Sequence, residues 1–236
     1  MTSEQKPKNG ADLSIKDSIR AVSKSDSSQG EWNRMQKFTV YGMSLSGNCH
    51  KVKTILELLG SQYRWIEIDT RKGETKTAEF LKLNPNGKIP VLELEDGVRI
   101  PESNAILYYL ARDTDFFSEN LLEQTRILEW MFFEQYSHEP YIAVNRWLLR
   151  YTKTENETSP LILTNREKGN KALTVMEAHL GNRSFFVGER LTIADICLYA
   201  YTHVAEEGGF SFDDFPNVRK WLRNVRDYPK IPSIQG

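Results

Sequence analysis

Strand and helix signals alternate along residues 37 to 112 and then cease to alternate, which constrains the fold more than any other feature of the chain. "KFTVYG" reads as a short strand ending at Gly42. Val52, Ile55, Leu56 and Leu59 follow at the spacing of a helix with one buried stripe, and Gly60 stops it. "YRWIEID" is a second strand, rich in aromatic and β-branched residues. Thr77 to Leu83 is a short helix closed by the turn chemistry of "NPNG", and "VLELEDGVRI" is a hairpin about Asp96-Gly97. "ESNAILYYLAR" is another helix, with Ser103 as its cap. The order is therefore β-α-β-α-β-β-α.

Beyond "DTDFFSEN" the chain shows no convincing strand. Helical periodicity covers roughly 121–150, 161–180, 192–206 and 216–227. In "ERLTIADICLYAY", Thr192 and Asp195 form a capping box and Leu191 and Ile196 a hydrophobic staple, a structural signature. The expected organisation is a tail without periodic structure over 1–36, a small α/β domain over 37–113 and an all-helical domain over 121–236.

Composition narrows the function. With 31 basic and 32 acidic side chains, the net charge of -1 gives no case for nucleic acid or an acidic membrane surface. No apolar run approaches the roughly 20 residues that a membrane-spanning helix needs, and the start of the chain lacks a secretory signal's apolar segment. Two cysteines, Cys49 and Cys197, cannot form a disulfide framework, so a reducing cytoplasm is expected.

The polar residues crowd into "YGMSLSGNCHK", at the mouth of the first helix. A helix start after a strand presents unpaired N–H groups and a positive dipole end, a place suited to an anion. The single glycine of "SLSGNCHK" matches neither a P-loop nor a dinucleotide fingerprint, leaving a thiolate as the second candidate. Ser46 and Asn48 offer short donors there, and Cys49 could itself be the thiol.

Strand, polar turn and helix, then "LNPNGKIPVLELEDG" and "IPESNAILYYLA", resemble the glutathione-binding domain of the cytosolic glutathione transferase superfamily, of the bacterial type with serine or asparagine in the active site. "GERLTIADICLYAY" is similar to the helical half of that family. The resemblance covers residues 37 to 227 and implies a thioredoxin-like N-terminal domain followed by an all-helical C-terminal domain. It implies that Ile89, before a cis Pro90, presents its backbone to the cysteinyl part of glutathione, while Glu102 and Ser103 hold the γ-glutamyl end. Lys88 is placed to assist a carboxylate of the tripeptide or, equally, to sit as a solvated loop lysine. Counting back from Lys51, Ser46 falls where zeta-like relatives carry a catalytic serine and beta- and omega-like relatives a cysteine. Asn48 falls where nu-like relatives carry an asparagine. Holding a thiol of pKa about 8.5 mostly ionised at neutral pH needs about 2.7 kcal/mol. One charge-assisted hydrogen bond of about 1.5–3 kcal/mol plus a helix end suffices, and either Ser46 or Asn48 could be that donor, with Ser46 preferred.

"FEQYSHEPYIAVNRW" gathers Tyr136, His138, Tyr141, Arg146 and Trp147, with Pro140 kinking the helix, and the resemblance implies that this helix lines an electrophile pocket between the domains, with Tyr136, Tyr141 and Arg146 its candidates. The competing reading packs these aromatics into the core and leaves His138 and Glu139 on a solvated bend. His50 reads as a solvent-facing or interface residue and Cys197 as core. No metal is expected. The function implied is a glutathione transferase that uses glutathione as co-substrate against a small hydrophobic electrophile, working as a homodimer. The alternatives are a glutathione-dependent disulfide reductase, with Asn48 or Cys49 taking part, and a non-catalytic interaction module of the same fold.

Overall fold

The computed structural model describes residues 37–234. The tail expected over 1–36 lies outside the described residues. β1 (Lys37–Gly42) is the centre of a four-stranded sheet of order β2-β1-β3-β4. It runs parallel to β2 (Gln62–Glu67), with Phe38 opposite Tyr63 and Val40 opposite Trp65. It runs antiparallel to β3 (Val91–Glu93), which pairs antiparallel with β4 (Arg99–Pro101). Phe38, Val40 and Gly42 alternate inward along β1, as a strand's two-residue period requires. The β3–β4 hairpin turns where expected: Gly97 adopts φ 84, and Asp96 Oδ1 accepts the Val98 N–H at 3.0 Å.

α1 (Gly47–Leu59) begins at Ser46, whose Oγ accepts the Cys49 N–H, and ends at Gly60 in the left-handed region. Its buried stripe Val52, Ile55, Leu56 and Leu59 faces α3 (Ser103–Ala111), while the start of α1 also meets the helical half. α2 (Ala78–Leu83) is the short helix capped by Thr77. Ser103 is not the cap of α3. Glu102 takes that position with φ 69 and ψ 110, Ser103 is the first helical residue, and its hydroxyl donates to Asn48 Oδ1.

The helical half contains α4 (Leu121–Phe133), α5 (Glu139–Arg146), α6 (Pro160–Leu180), α7 (Ile193–Thr202) and α8 (Pro216–Arg226). All ten residues of α7 are buried, so it is the core helix against which α1, α3, α4 and α8 pack. The capping box holds: Asp195 accepts from Thr192 N–H and Oγ1 at its start. The same carboxylate accepts the Phe186 N–H and Trp221 Nε1. Burial pushes Asp195 up to about 6 despite those four donors.

Two π-helical turns, Glu134–His138 and Trp147–Thr152, interrupt the expected 121–150 helix. Pro140, lacking an N–H and sitting in the first turn of α5, breaks the regular ladder at the first of them. Each π turn inserts an extra residue, so side chains beyond it rotate away from their α-helical phase.

Candidate active site

Two cavities meet in the cleft between the sheet domain and the helices. A polar one of about 220 Å³ is lined by Asn48, Asn84, Lys88, Ile89, Pro90, Glu102, Ser103, Gln135 and Glu139. An apolar one of about 460 Å³ includes Met43, Leu45, Ser46, Ala143, Val144, Arg146, Trp147, Tyr151 and Tyr201 in its wall. Lys88, Ile89 and Glu139 belong to both, so the two form one continuous cleft. A larger depression of about 730 Å³ beside Tyr108, Arg112 and Asn120 shares no residue with either and gathers none of the candidate site residues.

The polar end is built by loops of fixed shape. The Ile89-Pro90 bond is cis, and Asn84 Nδ2 donates to the Lys88 carbonyl at 2.7 Å. Glu102 holds a positive φ, a conformation costing a non-glycine residue about 1–3 kcal/mol and concentrated at functional sites. Asn48 is held on three sides. Its Oδ1 accepts from Ser103 Oγ at 3.1 Å, its Nδ2 donates to Glu139 Oε1 at 3.3 Å, and its backbone N–H donates to the Tyr201 hydroxyl at 3.3 Å. A hydroxyl donor at one end of the amide and a carboxylate at the other fix which end is which. Burial raises the Glu139 carboxyl above the usual range, with the Glu134 carboxylate adding to it. Gly47 makes room for Tyr201, since a β-carbon there would fall 2.6 Å from the tyrosine ring.

Ser46 lies at the apolar end. Its Oγ accepts the Cys49 N–H at 3.4 Å, which leaves the hydroxyl proton available to a ligand. Cys49 is fully buried behind it, its sulfur accepting the Met43 N–H, and burial pushes the thiol up to about 12. Such a thiol is neither ionised nor reachable, so Cys49, expected as a candidate for disulfide exchange, is not placed for it.

The pocket residues expected from "FEQYSHEPYIAVNRW" divide. Arg146 lines the apolar cavity, but its guanidinium is committed to the Leu45 carbonyl, Glu207 and the Tyr151 hydroxyl, tying the loop before α1 to the helices. Tyr136 is 82% exposed and lines neither cavity. Tyr141 also lies away from the cleft, its ring 5.3 Å from Lys168 Nζ. Tyr136 lies within the π turn Glu134–His138 and Tyr141 beyond it, so neither keeps the phase of one continuous helix from 121 to 150. His138 is no solvated bend residue: it is buried, with Nε2 2.9 Å from Thr202 Oγ1, and burial lowers its pKa to about 4. His50 is not solvent-facing either. It bonds the Pro232 carbonyl at 2.8 Å, and burial, with His203 beside it, lowers it to about 3. Tyr201, Tyr151 and Glu139 are cleft residues that sequence reasoning did not assign. Trp147 carried a signal as part of the aromatic cluster in "FEQYSHEPYIAVNRW", while the helical spacing of Tyr201 within "ICLYAY" pointed to core. No helix among the described residues is long and apolar enough to cross a membrane.

The glutathione S-transferase N-terminal domain family matches residues 45–113, and the glutathione S-transferase C-terminal domain family matches 131–229. Among solved structures, a glutathione S-transferase from Pseudomonas fluorescens Pf-5 is 48% identical with a TM-score of 0.82, over 84% of this chain and 99% of that one. The glutathione transferase URE2P6 of Phanerochaete chrysosporium, solved with oxidized glutathione, is 31% identical with a TM-score of 0.75, over 84% and 94% of the two chains. Elongation factor 1-gamma of Artemia salina is 32% identical over 189 residues, 76% of this chain but 43% of that protein's length.

Proposed function

The chain belongs to the cytosolic glutathione S-transferase superfamily, and from that premise we propose that it activates glutathione as a thiolate and delivers it to a small hydrophobic electrophile. In this reading the tripeptide lies along the polar end. The Ile89 backbone pairs with its cysteinyl unit, Glu102 and Ser103 take the γ-glutamyl end, and Lys88 stands near a carboxylate. The sulfur then falls where the two cavities join, between Ser46 and Asn48. The Ser46 hydroxyl donates to it, the second N–H of the Asn48 amide supports it, and the positive end of α1 adds to both. The electrophile occupies the apolar end against Trp147, Tyr151 and Tyr201, which sets reacting partners side by side.

The observation that carries this reading is the continuous cleft, polar at the cis-proline loop and apolar beyond Ser46. The test is a parallel assay of conjugation and disulfide reduction for the unsubstituted chain, Ser46→Ala, Asn48→Ala and Cys49→Ser. Loss of conjugation in Ser46→Ala supports the assignment. Unchanged rates there with collapse in Asn48→Ala would transfer the role to the asparagine.

A second reading, glutathione-dependent disulfide reduction, draws support from the relative solved with oxidized glutathione. It would run on the tripeptide's own sulfur, because neither protein thiol is accessible. We further propose a cytoplasmic, detoxifying homodimer. Phe132 at the end of α4 and Tyr136 in the π turn that follows, 69% and 82% exposed, are aromatic groups that a second copy would cover.

A further inference from the structure

Beneath the cleft, four elements converge on one buried charge. Lys51 of α1 is wholly buried, with Nζ 2.8 Å from Glu134 Oε2 and 3.2 Å from Asn104 Oδ1. Cys197 of α7 places its sulfur 3.2 Å from the same two oxygens. Burial alone would push the Lys51 ammonium down. The Glu134 carboxylate outweighs that and holds it above the lysine range, while burial keeps the Cys197 thiol neutral.

Every member of this cluster has a neighbour on its own element that belongs to the cleft. Asn48 stands one helical turn before Lys51, and Ser103 directly precedes Asn104. Glu139 closes the π turn that Glu134 opens, its N–H donating to the Glu134 carbonyl. Tyr201 stands one turn after Cys197 on α7. Ser103, Glu139 and Tyr201 are the three partners that hold Asn48.

We infer that the Lys51–Glu134 pair is the positioning device of the glutathione site, locking α1, α3, the π turn and α7 in the one register that lets Ser103, Glu139 and Tyr201 fix the Asn48 amide. The inference rests on the reading that Asn48 faces the glutathione sulfur. A buried ion pair is commonly replaceable by apolar side chains without loss of stability, so stability alone gives no reason for a charge here. Geometry does: an ammonium and a carboxylate 2.8 Å apart specify a single arrangement of the two halves, where apolar groups would tolerate several.

The test is the double variant Lys51→Met with Glu134→Met, which removes both charges together and leaves neither stranded. Three quantities are read on the full chain: kcat/KM for conjugation, the pKa of the bound glutathione thiol from its thiolate ultraviolet absorbance, and the Kd for S-methylglutathione, which has no thiol to ionise. The expected result is a folded protein with kcat/KM reduced by about tenfold to a hundredfold. The bound thiol should ionise at higher pH, and S-methylglutathione should bind within about threefold of the unsubstituted chain, since Lys88, Ile89 and Glu102 are no part of the cluster. A folded double variant with unchanged kcat/KM and unchanged thiol pKa overturns the inference. Should the double variant not fold, Asn104→Leu, which removes one acceptor and leaves the ion pair, is read by the same ionisation measurement and the same criterion. If the unsubstituted chain binds neither glutathione nor S-methylglutathione, it is the underlying functional reading that fails instead.

Discussion

The two ends of the cleft are built by different means. The polar end is made of short loops whose shape is fixed locally: a cis peptide at Ile89-Pro90, an Asn84 side chain on the Lys88 carbonyl, and Glu102 at positive φ. The apolar end is made of helix faces that meet across the domain junction, and two π turns decide which residues those faces show. The difference teaches that recognition of a fixed ligand can be carried by contiguous sequence, while the shape of a variable pocket depends on the phase of long helices.

If the division of labour is right, the largest effect comes at the join. Ser46→Ala should lower kcat for conjugation by about a hundredfold or more, as loss of a donor aimed at developing or stabilised negative charge does elsewhere. The KM for glutathione should change little, and the thiolate absorbance of the bound tripeptide should fall at neutral pH. An unaltered absorbance in that variant would place the donor at Asn48 and break the assignment.

Acid should loosen the floor on which both ends rest. His50 and His138 have folded pKa values of about 3 and about 4, below the unfolded value near 6.5, so the unfolded chain binds more protons. Their stabilisation is complete above about pH 6.5 and is lost as pH falls toward the folded values. Asp195, raised to about 6, works the other way, favouring the folded state as pH falls from 6 toward 4. Two histidines against one aspartate predict a net loss of roughly 2–3 kcal/mol between pH 7 and 5, measurable by denaturant titration. Constant stability across that range would show that the two imidazoles are not held neutral.

A smaller effect sharpens the comparison at the α1 start. Gly47→Ala would drive a β-carbon into the Tyr201 ring, costing about 1–3 kcal/mol of stability by overpacking and moving the Asn48 N–H from the Tyr201 hydroxyl. Thermal unfolding and glutathione kinetics together would show both losses.

At the apolar end, Trp147→Ala should raise the KM for a hydrophobic electrophile by about tenfold while sparing that for glutathione, consistent with 1–3 kcal/mol for a pocket contact. Tyr136→Ala should leave both kinetic constants unchanged and act, if anywhere, on the sedimentation behaviour of the proposed dimer.

How much of this was legible in the sequence follows the same line. The β-α-β-α-β-β-α succession, the Asp96-Gly97 hairpin, the Thr192–Asp195 box and the helix mouth at Ser46 depend on residues near one another in the chain, where turn chemistry and capping act. Ile89, Pro90, Glu102 and Ser103 are legible through the family resemblance rather than local chemistry, and they line one cavity; the capping expected of Ser103 misses its long-range bond to Asn48. What escaped reading depended on separation. Tyr201 reaches Asn48 from the far end of the chain, His138 is buried against Thr202, and Tyr136 lies inside the π turn, where the α-helical phase no longer holds. Periodicity counts residues and cannot register such an insertion.

The wholly buried ammonium of Lys51 also limits how this molecule can be taken apart. A fragment cut between the sheet and the helices would leave a cation stranded on a face shaped to be dry, and its complement would carry the matching orphan anion. Grafting one half onto a foreign partner would succeed only if the recipient brought the opposite charge at the corresponding spot, so the halves are heritable as a couple rather than as interchangeable modules.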